Sequence, residues 1–186
     1  VREGLEEIAA EGARAGEIIR SIQSLTRKQD PTFSRIDMHY LIHHIITLSR
    51  SELEQRHISV DYLLRAQDSF ITGDSVQIQQ VLLNLVMNAV EAMAEVKDRA
   101  STITLSTANA DGKVIVEIAD TGSGIEPERL EQIFDSFYST KAQGMGMGLT
   151  ISASIIERHC GKLSARRREP HGTVFTFALP LAAQEG

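Results

Sequence analysis

The stretch Asp74–Met93, DSVQIQQVLLNLVMNAVEAM, constrains this chain more than any other. Ile78, Val81, Leu82, Leu85, Ala89 and Ala92 recur at steps of three and four, which predicts one helix with an apolar stripe turned to a core. Asp74 is a favourable N-cap, and Gln77 three residues on completes a capping-box pattern. The other side of the same helix carries Gln77, Gln80, Asn84, Asn88 and Glu91, spaced so that they share a face. A merely solvated face would be filled with Lys and Glu, because an asparagine amide competes for the backbone and disfavours helix. Two asparagines one turn apart therefore point to something polar held on that face.

With 186 residues, the chain has room for one ordinary domain and a helical appendage. A net charge of -6 argues against a nucleic-acid binder. Arg166, Arg167 and Arg168 form the only basic run and read as a solvated strand end. The single Cys160 excludes an internal disulfide and a four-cysteine zinc site; its place at an apolar helix end predicts an inert buried thiol. No apolar run approaches the roughly 20 residues needed to span a bilayer, and no signal peptide is visible. Val1 already falls inside a helical pattern and no initiator Met precedes it, so the chain reads as a fragment of something longer.

Leu5, Ile8, Gly12, Ala15, Ile19 and Ile22 form a heptad seam that one helix cannot bury alone. Pro31 ends it, which gives residues 1–30 as a coiled-coil-like helix and residues 31–186 as the main domain. A second amphipathic helix is predicted over about Asp37–Gln55, with Leu41, Ile42, Ile45, Ile46, Leu48 and Leu53 on its core side. His43 and His44 lie within it, but helical neighbours point about 100° apart, so a shared metal ion is disfavoured. His57–Leu64 alternates as a strand, and Thr102–Thr107 with Lys113–Ala119 reads as a hairpin around Asp111-Gly112. Pro127–Phe134 is predicted as a short helix, and Gly148–His159 as a longer one with Gly161 at its C-terminal cap. Residues 135–148 between them are too long and too glycine-rich for a mere connector. Lys162–Arg167 and Thr173–Leu179 close the chain as strands. This order implies an α+β fold, a two-layer α/β sandwich with a mixed sheet and helices on one face.

Gly144-Met145-Gly146-Met147-Gly148 leads directly into a helix whose electropositive N-terminus favours phosphate. Lys141 just upstream can add a mobile cation for a terminal phosphate. No P-loop sequence exists in the chain. Asp120 stands at a strand end before Gly122 and Gly124, where a carboxylate can accept from an exocyclic amine such as that of adenine, or simply build a turn. The amide row supplies a third kind of contact, since Mg²⁺ on a nucleotide needs only one or two protein oxygens.

Four motifs occur in the order Asn84-x-x-x-Asn88, Asp120-x-Gly-x-Gly124, Ile133-Phe134-Asp135-Ser136-Phe137 and Gly144-x-Gly-x-Gly148-Leu149. In this the chain, from about Phe33 to Leu181, resembles the sensor histidine kinases of bacterial two-component systems. Their ATP-binding domain belongs to the superfamily of DNA gyrase, heat-shock protein 90 and the MutL repair proteins. Residues 1–30, with Arg14-Ala15-Gly16-Glu17-Ile18-Ile19, resemble the second helix of that family's dimerisation hairpin.

The resemblance implies a Bergerat-type ATP-binding fold with ATP and Mg²⁺ as cofactors. Asn88 would bind the metal, Asn84 would contact phosphate or the reacting centre, and Glu91 would stand behind them. Asp120 would accept the adenine amino group, with Gly122 and Gly124 as the floor and Thr173 assisting. Gly144, Gly146, Gly148 and Leu149 would frame the phosphates under a lid from Phe134 to Gly146, with Lys141 reaching the γ-phosphate. Phe134 and Phe137 would anchor that lid by packing. The implied reaction is in-line phosphoryl transfer to a histidine on the dimerisation hairpin, followed by a response regulator receiver domain; the alternatives are a superfamily ATPase or serine kinase, or a catalytically silent nucleotide-binding signalling module. The intact protein would be a homodimer whose catalytic part is cytoplasmic, with no nucleic-acid partner and no direct membrane contact by this portion. Asn84 stands where the gyrase branch carries a glutamate that activates water, and an amide cannot be a general base. His39, His43, His44, His57, His159 and His171 are each followed by a non-acidic residue, so none matches the family's acceptor histidine.

Overall fold

The computed structural model describes residues 32–130, 132–135, 138 and 146–183. The helix expected over 1–30, together with Phe137, Lys141 and Gly144 of the expected lid, lies outside the described residues. From Thr32 onward the chain forms one compact unit. Its elements are β1 (Ser34–Asp37), α1 (Met38–Leu48), α2 (Arg50–Gln55), β2 (Ser59–Leu64), β3 (Phe70–Gly73), α3 (Ser75–Ala92), β4 (Thr102–Ala110), β5 (Lys113–Ala119), α4 (Gly148–Arg158), β6 (Lys162–Arg167) and β7 (Thr173–Pro180). Five strands form a sheet in the order β2-β4-β5-β7-β6, with β2 parallel to β4 and the other pairs antiparallel. β1 and β3 pair antiparallel in a second, two-stranded sheet that Ile71 bridges to Leu181.

The period of two along β4, β5 and β7 sends Ile103, Leu105, Val114, Val116, Ile118, Phe175, Phe177 and Leu179 into the core. From α3, Ile78, Val81, Leu82, Leu85, Val86, Ala89 and Val90 meet them, wider than the predicted stripe by Val86 and Val90. The result is the expected two-layer α+β sandwich with a mixed sheet. Ala110 pairs with Lys113, and Asp111 and Gly112 both have positive φ (51° and 69°), so the hairpin closes on a two-residue turn of the I′ kind.

Several local expectations are corrected. The helix predicted over Asp37–Gln55 is two helices, because Ser49 caps the end of α1 through its N–H to the Ile45 carbonyl (3.0 Å) and also begins α2. The break re-registers the apolar stripe: Leu53 is buried, whereas Leu48 is 61% exposed. Pro127–Phe134 forms two single 3-10 turns, Pro127–Arg129 and Gln132–Phe134, in place of one short helix. At the end of α4 the left-handed position is taken by Cys160 (φ 58°), one residue before the expected Gly161. Cys160 N–H bonds the Glu157 carbonyl and Gly161 N–H the Ile156 carbonyl, both at 2.9 Å, the double bond of a Schellman end. Gly161 is needed for space, since a Cβ there would lie 2.5 Å from the Ala178 carbonyl. Cys160 is exposed, so the buried-thiol expectation does not hold. β1 and β3, four residues each, were too short to show a period.

Candidate functional site

Two hydrogen bonds fix how α3 and α4 lie together. Asp74 N–H donates to His159 Nε2 at 3.0 Å, and Asn84 Nδ2 donates to Ser152 Oγ at 3.0 Å. Numbers rise along α3 as they fall along α4, so the helices are antiparallel. The start of α4 therefore faces the middle of α3, at the amide row. A Cβ on Gly148 would sit 2.6 Å from Asn84 Oδ1, so only glycine lets the helix start approach this closely. Asn88 follows one turn further along α3 and is half-buried; Glu91 beyond it is exposed.

The N-terminus of α3 departs from the predicted capping box. Asp74 Oδ1 accepts from the N–H groups of Val76 and Gln77 (3.0 and 3.2 Å), while Gln77 Nε2 donates to Asp74 Oδ2 (3.1 Å). The Asp74 N–H, which a capping box would give to Gln77, goes to His159 instead. His159 Nδ1 lies 2.7 Å from the Ile155 carbonyl, which only accepts, so this nitrogen carries the proton and Nε2 is the acceptor.

A second cluster forms where β5, β7 and the end of α3 converge. Asp120 follows β5 and is 1% exposed. Its Oδ1 accepts from Gly122 N–H (2.8 Å) and Thr173 N–H (3.2 Å). Among the described residues no donor reaches Oδ2. Arg168 Nη1 donates to the Asp120 carbonyl at 3.1 Å. Burial pushes the Asp120 carboxyl above the usual carboxylate range, against the opposing pull of the two backbone N–H groups and the Arg168 charge. Gly122 packs so closely on α3 that a Cβ would lie 2.6 Å from the Ala92 carbonyl, which also accepts from Ser123 N–H (3.2 Å). Gly124 faces Gly172 in the same way, at 2.9 Å from its carbonyl. The floor of this cluster is thus backbone.

Of the predicted site residues, Asn84, Asn88 and Glu91 share α3 with Gly148 against them, while Asp120, Gly122, Gly124 and Thr173 gather at the adjoining end of α3. Leu149 is half-buried against the core, as is Phe134, whose carbonyl accepts from Thr150 Oγ1 at 3.0 Å. Gly146 precedes α4 with φ 65°. Four residues that bear on the site escaped the sequence reading: Ser152, His159, Arg168 and Gly172. A lone Ser in the apolar stripe of α4 was the available sign for the first. Arg168 was hidden in the run read as solvated.

The donor set suits a nucleotide. A carboxylate whose Oδ2 meets no donor among the described residues, above a backbone floor, fits an exocyclic amine. A helix N-terminus beside neutral amides fits phosphate with its metal. Among the described residues no three His, Cys, Asp or Glu gather to hold a metal ion. Among the same residues no helix is long and apolar enough to cross a membrane.

Residues 73–183 match the model of the histidine kinase-, DNA gyrase B- and HSP90-like ATPases, and the chain belongs to this family of ATP-binding domains. Within it, the chain's relatives are sensor histidine kinases. It is 36% identical over 186 residues to the C4-dicarboxylate transport sensor protein DctS of Rhodobacter capsulatus, covering all of this chain and 28% of that protein. It is 36% identical over 182 residues to the sensor protein FixL of Bradyrhizobium diazoefficiens, covering 98% of this chain and 36% of FixL. The chain thus spans about a third of these curated relatives or less. The nucleotide-free catalytic domain of the histidine kinase ThkA superposes with a TM-score of 0.72 at 34% identity, over 80% of this chain and 95% of that one. ThkA in complex with the response regulator protein TrrA superposes at 0.80 with 29% identity, over 97% of this chain and 51% of that one.

Proposed function

We propose that this chain is the ATP-binding catalytic part of a sensor histidine kinase that delivers the γ-phosphoryl group of Mg-ATP to a histidine on a dimerisation hairpin. The observation that carries this reading is an amide, Asn84, beside the start of α4, where a water-activating carboxylate would serve hydrolysis. Asp120 Oδ2 holds the adenine amine, and Thr173 supports Asp120 from behind through its N–H. Asn88 holds Mg²⁺, with Glu91 on the same face, and Asn84 stands beside the phosphates. Gly144, Gly146, Gly148 and Leu149 shape the phosphate loop, and Lys141 serves the γ-phosphate. Bound Mg-ATP supplies the transferable group and most of the metal's ligands; the chain's part is to orient, neutralise and exclude water.

In this reading residues 1–30 are the second hairpin helix and residues 31–186 the catalytic domain. The acceptor hairpin belongs to the same or a sister protomer of a homodimer. A response regulator receiver domain takes the phosphoryl group onward, as the pairing of ThkA with TrrA suggests. The catalytic part works in the cytoplasm.

The test is to mix this chain with γ-labelled ATP and a hairpin fragment that carries an acceptor histidine. Acid-labile label on the hairpin is expected, and inorganic phosphate release without hairpin label would overturn the reading in favour of an ATPase. A second expected outcome concerns the metal. Asn88→Ala leaves the apolar face of α3 untouched, so the fold should be unchanged while Mg²⁺-dependent ATP affinity falls by about tenfold. Calorimetric titration with and without Mg²⁺ checks it; unchanged Mg²⁺-dependent binding would remove Asn88 from the metal site.

A further inference from the structure

We propose that Ser152 is a positioning residue for the phosphate half of the site, acting through Asn84. It rests on the nucleotide reading above. Ser152 is 2% exposed and lies on the side of α4 that also buries Ile155 and Ile156. A hydroxyl in such a row must find a partner or lose its hydration without return, whereas alanine would pack there with no such demand. Its partner is Asn84 Nδ2, at 3.0 Å.

The start of α4 decides which end of the amide faces it. With Nδ2 committed to Ser152, Asn84 Oδ1 is turned toward the first turn of α4, where it stands 2.6 Å from the place a Gly148 Cβ would take. An acceptor oxygen beside a helix N-terminus is electrostatically favoured, and a rotated amide would aim its NH₂ at the same positive end. With that orientation set by the helix start, Ser152 Oγ takes Nδ2 and anchors the amide against the start of α4, beside the Asn84–Asn88 row. Asp120, by contrast, depends on Gly122, Thr173 and Arg168, none of which touches Ser152 through a hydrogen bond. The adenine half and the phosphate half are supported by different contacts.

That separation gives the test. Ser152→Ala, Asn84→Ala and the double variant, each in the full chain, are titrated with Mg-ATP by calorimetry and with adenosine by NMR shift perturbation. Ser152→Ala is expected to weaken Mg-ATP by about tenfold and leave adenosine unchanged. The double variant should be no weaker than Asn84→Ala alone, because on this proposal Ser152 acts through Asn84. Ser152→Thr keeps the oxygen and should restore the parent's ratio of the two affinities. Equal losses for ATP and adenosine, full additivity in the double variant, or a Thr variant as poor as Ala would each overturn the proposal. A parent chain that binds no ATP would overturn the nucleotide reading itself, and with it this inference; a parent that binds beside an unaffected Ser152→Ala overturns the inference alone.

Discussion

Replacing Asp120 with Asn is expected to weaken ATP binding by about 10- to 100-fold while the protein stays folded and melts no lower than the parent. Both backbone donors to this side chain fall on Oδ1, which an Asn carbonyl reproduces at nearly the same volume. In the proposed site the other position changes from an acceptor into an NH₂ group facing the adenine amine, donor against donor. A hydrogen bond to a charged group contributes about 1.5–3 kcal/mol, which sets the range of the loss. GTP presents a carbonyl at the same place, so its affinity should suffer less and the preference for ATP should narrow. Calorimetry with both nucleotides decides it, and an unchanged ATP affinity would reduce Asp120 to a turn residue.

The same carboxyl predicts a pH dependence of definite sign. Its folded-state pKa is raised, chiefly by burial, so the nucleotide-free protein holds this proton more readily than the unfolded chain does. The stability it contributes is fully present below the unfolded value and is lost as pH rises through the folded one. In the proposed site nucleotide binding runs the opposite way, because the adenine amine would need the carboxylate: affinity should fall as pH drops through the raised value. In Asp120→Asn both dependences should disappear. A slope that survives the substitution would assign the titration to another group.

Gly172→Ala should be among the most damaging single-methyl changes in the chain. The added Cβ would lie 2.0 Å from the Asp120 carbonyl oxygen, a backbone atom that cannot swing aside, at a φ of +105° that L residues avoid. Strain of this kind costs about 1–3 kcal/mol and overpacking about as much again, a large share of a domain's total stability. A drop in melting temperature of roughly 10 °C is expected, with loss of ATP binding because Asp120 is displaced. Gly112→Ala separates the two causes. It also has positive φ (+69°), but no atom lies within 4 Å of the added carbon. Its penalty should stay near 1 kcal/mol, the backbone part alone. Equal melts for the two variants would refute the contact with Asp120.

What the sequence disclosed follows from where the physics is periodic. The stripe of α3, the alternation of Val114, Val116 and Ile118, and the Asp111-Gly112 turn are local patterns, and each reappears in the fold. Contacts between elements distant in sequence carry no such period. Nothing around Asp74 announces that its N–H will be capped from His159, 85 positions away, and nothing in Arg166-Arg167-Arg168 separates the arginine that holds the Asp120 carbonyl from its solvated neighbours. The break at Ser49 was missed because Leu48 and Leu53 fit a continuous stripe as readily as a broken one. For the site, residue types in order marked the candidates, but the antiparallel register that places Gly148 beside Asn84 belongs to the fold alone.

The one parallel pairing in the large sheet has a bearing on how the site comes into being. Parallel strands cannot be joined by a tight turn, and the link from β2 to β4 passes through β3 and the whole of α3. The antiparallel neighbours β4–β5 can zip up locally around two residues, at little cost in chain entropy. The helix bearing Asn84 and Asn88 lies within the crossover that connects β2 to its parallel neighbour. The amide row is thus carried by the strut that ties the sheet's outer strand to its middle.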